Sequence, residues 1–207
     1  MAYSRGTSSN IIVGAAALFV ADTTLTPDTL EDFVATESFR ETLADDSAYT
    51  NVGYTMNGLE LQFQPDFGEV QVDQILDVAK LYKQGMQVNL ATAFAEATLE
   101  NLLLALAYSE SKLTGNKAQS NGQALDLSAG DIGECPVERG IVAVGPGTGD
   151  CADSAYVERV YSAYRALSIE NVTVSAKRDE ASMFEVSFRL LPNDDASYGK
   201  IVDRSLA

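Results

Sequence analysis

Leu59-Glu60-Leu61-Gln62-Phe63-Gln64 is followed by Pro65-Asp66-Phe67-Gly68 and then by Glu69-Val70-Gln71-Val72-Asp73. In the first and last pieces apolar and polar residues alternate with period two, the spacing at which successive side chains leave opposite faces of a strand. Pro65, Asp66 and Gly68 between them supply turn chemistry. The stretch therefore predicts a β-hairpin with one apolar and one polar face. A longer alternation follows, with Tyr82, Met86, Val88, Leu90 and Phe94 on one face and Lys83, Gly85, Gln87, Asn89 and Ala91 on the other. Its length exceeds the usual strand of about 5–6 residues, as expected of a strand that belongs to something larger.

Beyond it the period changes. Leu99, Leu102, Leu103 and Leu106 fall at i, i+3, i+4 and i+7 behind Thr98, a residue type suited to an N-cap, so one amphipathic helix is expected to run to about Tyr108 and plug a core. Working back, the apolar run from Ile11 to Val20 reads as a buried strand. Residues 22–50 are polar and acidic and read as an arm or lid, with a short helix compatible only with the periodic piece from Phe33 to Leu43. Working forward, residues 112–155 turn to Gly, Asn, Ser and Asp and read as an insertion without a core of its own, anchored by Leu125, Leu127 and the Ile141 to Val144 run. Strand patterns resume at Tyr156 to Tyr164, at Ile169 to Ala176 and from Phe184 to Leu190. The sum is one domain spanning residues 1–207. It is mainly β, an antiparallel sandwich or barrel with one flanking α-helix and two long loop insertions.

Composition narrows the function. With 46% hydrophobic residues among 207, the chain can bury a core. Thirty acidic against fourteen basic residues give a net charge of -16, the wrong sign for gripping phosphates. The chain has no His, which removes the commonest general base, the commonest metal ligand and every Ser-His-Asp or Cys-His arrangement. Gly145-Pro146-Gly147-Thr148-Gly149 lacks the Lys-Ser or Lys-Thr of a phosphate loop and reads as a surface loop. Asp45-Asp46, Asp150 with Asp153, and Asp194-Asp195 lack the spacing of a calcium loop and read as solvated carboxylates. No catalytic residue, metal site or cofactor is expected. Cys135 and Cys151 lie in one Gly-rich segment, so a disulfide closing that loop and two reduced thiols are both open readings. The Ile11 to Ala21 run is shorter than the roughly 20 residues needed to span a bilayer, and only Arg5 before it is basic, so neither a membrane span nor a secretory leader is expected.

Val52-Gly53-Tyr54-Thr55-Met56-Asn57-Gly58-Leu59-Glu60-Leu61, then Val72-Asp73-Gln74, then Ala95-Glu96-Ala97-Thr98-Leu99-Glu100-Asn101-Leu102, resemble the tail tube, or major tail, proteins of bacteriophages. Phe188-Arg189-Leu190-Leu191-Pro192 followed by Gly199-Lys200-Ile201-Val202-Asp203 is similar to that family's closing strand and tail. Together with Ile11 to Val20, the resemblance covers about two thirds of the chain. It implies a β-sandwich whose copies form hexameric rings, joined into a continuous barrel around a lumen and stacked into a tube that conducts DNA into the host. Expected partners are then further copies of the chain, tape-measure, terminator and baseplate or tail-tip proteins, and a sheath if the tail contracts. DNA passes without specific binding, no membrane is involved, and the location is the virion after assembly in the host cytoplasm. The expected lumen-facing residues are Glu60, Gln62, Glu69, Gln71, Asp73, Gln87 and Asn89. Two other readings stay open: a tail completion or head decoration protein, and a carbohydrate-binding β-sandwich, which has nine Tyr but no Trp to stack on a sugar.

Overall fold

The computed structural model describes residues 10–25, 34–35, 37–115, 122–130, 132–133, 135–148, 157–174, 178–179 and 181–206. In chain order the elements are β1 (Ala17–Ala21), β2 (Val34–Ala35), α1 (Phe39–Asp45), β3 (Tyr49–Asn51), β4 (Thr55–Val70), β5 (Lys80–Phe94), α2 (Leu99–Ala105), β6 (Leu113–Gly115), β7 (Gln123–Leu125), β8 (Arg139–Pro146), β9 (Val157–Ser168), β10 (Phe184–Leu191) and β11 (Gly199–Leu206). Nine strands join in one sheet along the path β3-β1-β8-β9-β10-β5-β4, while β6 and β7 pair separately. Strand β11 runs antiparallel beside the first half of β9, through Gly199↔Ala163 to Ser205↔Val157, and β10 takes the second half of the same edge. The chain is thus mainly β with a large antiparallel sheet, as its alternations predict; the parallel β11 to β2 pair is the exception.

The sheet buries apolar side chains on both faces. On one face Leu18, Val20, Ile141, Ala143, Ala163, Val88, Leu90, Phe94, Phe184, Val186, Phe188 and Leu190 make the main core, closed at one end by α2. On the other, Phe19, Val142, Val144 and Val160 pack under Leu43 of α1. Every residue of β8 from Arg139 to Gly145 is buried, because a short apolar run with no alternation suits a strand covered on both sides. Residues 139–146 therefore belong to the centre of the sheet and not to an insertion, and the ladder continues past Pro146 as the Gly147 N–H donates to the Val157 carbonyl at 2.7 Å.

Four further expectations change. First, Pro65-Asp66-Phe67-Gly68 makes no turn: β4 runs straight through it, with Pro65 opposite Met86 and Asp66 opposite Gly85. Proline cannot donate to a ladder, but β4 is the sheet's edge strand, where that loss is tolerated. The reversal comes at residues 71–79, where the Ala79 N–H donates to the Val70 carbonyl at 2.8 Å. Second, residues 22–50 hold β2, α1 and β3, so α1 joins α2 as a second helix over the sheet. Third, residues 169–174 carry no strand, and Ile169 and Val174 are exposed. Fourth, α2 is capped by Thr98 as expected, its hydroxyl accepting from the Asn101 N–H at 3.2 Å. The helix stops earlier than expected, at Ala105. It buries Asn101, Leu103, Leu104 and Ala105, with Leu99, Leu102 and Leu106 only half-buried, so its inward face is turned toward Leu104. Leu106 caps it, and left-handed Ala107 (φ 54°) follows.

Candidate functional site

The sheet ends in a projecting arm. Strand β10 pairs with β5 only from Leu190↔Val88 to Phe184↔Phe94, so the outer part of β5, residues 80–87, has β4 on one edge and no other strand of the described residues on the other. Two irregularities shape this ribbon. Asn57 (φ 65°) and Gly58 (φ 73°) form a bulge between Met56↔Ala93 and Leu59↔Thr92, with the Thr92 hydroxyl donating to the Gly58 carbonyl at 2.9 Å. Farther out, Gln84 has no partner between Asp66↔Gly85 and Phe67↔Lys83. Eight of the exposed large apolar side chains fall in the short segment between Phe63 and Tyr82, and Leu76 at the tip is fully exposed. Scattered exposed apolar residues need no explanation, whereas such a concentration marks a surface meant to be covered.

The expected lumen residues do not all share a face. The register sets Glu60 opposite Ala91, Gln62 opposite Asn89 and Gln64 opposite Gln87, and carries the rows on to Ser187 and Arg189 of β10. Glu60, Gln62, Gln87 and Asn89 thus lie together on the face away from the main core. Their side chains bond along the strands, Gln62 Nε2 to Glu60 Oε1 at 2.8 Å and Gln87 Nε2 to Asn89 Oδ1 at 3.3 Å. Glu69 lies an odd number of residues along β4 from Glu60 and so leaves by the opposite face, and Gln71 and Asp73 belong to the reversal. This division follows from the misread turn, which treated Glu69 to Asp73 as a second strand. Glu185 and Arg189 complete this face by the alternation of β10. Four amides, Gln62, Gln64, Gln87 and Asn89, share it with Glu60, Asp66, Glu185 and Arg189, and the chain's large negative charge is mostly elsewhere.

Beside this polar half, α1 straps the other half of the same sheet face. Glu158 on β9 is 1% exposed, accepts from the Ser38 hydroxyl, and accepts from the Phe39 N–H at 2.9 Å, so a sheet carboxylate caps the helix. Arg204 of β11 sits 3.5 Å from Glu158 and stacks 4.6 Å over the Phe39 ring. Next to it, Arg159 grips Asp203 through two bonds of 2.5 and 2.7 Å, and this hydrogen bonding, opposed by burial, holds the Asp203 carboxyl below its usual range. Sequence reasoning missed Glu158. The available signal was a carboxylate two residues before Val160, on the same face of an apolar strand.

At the sheet's other end, Asn101 Nδ2 donates to the Val52 and Glu96 carbonyls, both at 2.9 Å, tying α2 to the chain leading into β4. Arg139 is buried with Nη1 3.3 Å from Glu110; burial, with Glu110 nearby, raises the Asp22 carboxyl above its usual range, and Arg139 offsets part of that rise. Among the described residues no three His, Cys, Asp or Glu side chains gather closely enough to hold a metal ion. Asp150, Asp153 and Cys151 lie outside the described residues, and with Cys151 the candidate disulfide; Cys135 is exposed. No helix among the described residues is long and apolar enough to cross a membrane. No protein-family model matches the chain, and no curated protein matches it in sequence.

Proposed function

We propose that this chain is a structural subunit that polymerises with copies of itself, as rings stacked into a phage tail tube, and that its function is mechanical and electrostatic, without catalysis. The observation that carries this reading is the arm: a long edge ribbon whose outer half exposes apolar side chains on both faces, Phe67 and Leu81 on one and Val70 and Tyr82 on the other, that nothing among the described residues covers. An isolated two-stranded ribbon is marginal in water, and a long uncovered edge invites pairing with another chain. A monomer blunts such an edge, whereas an assembly buries it.

The inner half of the ribbon supports the same reading on its face away from the core. Glu60, Gln62, Gln64, Gln87 and Asn89 make a wide polar surface on β4 and β5 that no element of the described residues covers. Set around a bore, it presents amides and few charges to a passing duplex, so DNA meets neither a cationic trap nor a strong repulsive wall. Tape-measure, terminator, tip and, in a contractile tail, sheath proteins are the partners this role requires, and the virion is its location. Sedimentation velocity over a hundredfold concentration range tests self-association: the expected result is growth into large species, and one slow monomeric boundary throughout overturns it.

A further inference from the structure

Among the described residues the main core is plugged at one end and open at the other. Leu103 and Leu104 of α2 close the end near Phe94. At the far end, where the arm peels away from β10 and β11 begins, a groove of about 340 Å³ remains, lined mainly by Leu61, Met86, Val88, Tyr161, Tyr198 and Ile201. That is roughly twice the ~150 Å³ that holds a benzene-sized group in a dry apolar cavity. The groove is bounded by β5 and β11, and the Tyr198 hydroxyl donates to the Met86 carbonyl at 2.7 Å across its root.

The same chain carries a plug that it does not use. Ile75 and Leu76 at the arm tip are exposed aliphatic side chains, flanked by exposed Val72 and Leu81. The tip cannot reach its own groove. From Met86 at the groove to Lys80 at the end of β5 the extended ribbon spans about 20 Å, at ~3.3 Å per residue, and it points outward. Only another copy can bring a tip to this groove. A patch and a complementary pocket at different places on one chain make a head-to-tail contact, which propagates into closed rings or open filaments and does not stop at a dimer.

We infer that the groove between β5 and β11 receives the Ile75-Leu76 tip of a second copy, so that the neighbour's tip completes this chain's core. The inference rests on the self-assembly reading and adds the contact that drives it. Its test is the variant I75D/L76D, which alters two exposed residues and leaves the fold's core intact. Unchanged circular dichroism with at least a tenfold rise in the concentration needed for assembly is the expected result. In a background with Cys135 and Cys151 replaced by Ser, L76C with I201C should give a covalent ladder on oxidation of assembled protein, and either cysteine alone should not. Wild-type-like assembly of I75D/L76D, or assembled protein without the ladder, overturns this contact while leaving the tube reading standing. Loss of assembly in I11D/V13D but not in I75D/L76D does the same and transfers the role to the exposed Ile11 to Val13 stretch. Wild-type protein that stays monomeric at every concentration overturns both.

Discussion

Ala107 follows α2 in the left-handed region at φ 54°, where a Cβ is strained. Its N–H donates to the Leu104 carbonyl and the Tyr108 N–H to the Leu103 carbonyl, each at 3.1 Å, the paired bonds that end a helix and usually have glycine at this position. Ala107→Gly should stabilise the protein by about 0.5–1 kcal/mol, read as a higher urea midpoint with unchanged slope. Asp203 makes a pH-dependent contribution. Because Arg159 lowers its folded-state pKa, the pair stabilises the fold at neutral pH, and that stability fades as pH falls below the unfolded carboxylate value of about 3.9 toward the lower folded one. The side chains are partly exposed, so the contribution is about 0.2–1 kcal/mol. A melting-temperature gap between wild type and Asp203→Asn at pH 7 should close in acid; a gap constant down to pH 2 contradicts the assignment.

Among the elements, α1 depends most on a single contact. Glu158 caps it from below and pairs with Arg204 in a buried setting, so Glu158→Ala leaves a buried guanidinium with its main counter-charge gone. Such a truncation costs about 3–5 kcal/mol, and adding Arg204→Met should recover a large part of it, as chemical denaturation of single and double variants would show. The strands of the arm were legible because alternation is a local signal that survives in any context. Its turn was not, because Pro65 and Gly68 carry turn chemistry in sequence while an edge position in space makes them acceptable inside a strand. The central strand β8 was mistaken for part of a loop, since glycines flank it and an unalternating run of Ile141 to Val144 shows no face. Thr98 announced α2 correctly, but Asn101 drew no attention although it shares the helix face of Leu104 and Ala105; a polar residue inside an apolar stripe was the available signal.

At the scale of the molecule, the sheet presents three surfaces with different fates: a core face plugged by α2, a strapped patch under α1, and an amide-rich field on β4, β5 and β10. Alternation announced the class, a mainly β chain, whereas net charge carries no information about which face holds it. The field around Glu60, Gln62, Gln87 and Asn89 holds few charges, so E60K/Q62K adds cations where few anions stand. In a tail built from this variant, tubes should form normally while DNA ejection slows at low salt and recovers at high salt, as electrostatic sticking requires. Ejection indifferent to the substitutions removes this face from the bore. The claim beneath that prediction is the tube itself, and negative-stain microscopy of the purified wild-type chain addresses it directly. The account predicts hollow tubes of uniform diameter that lengthen with concentration; monomers, trimers or rings that never stack contradict it.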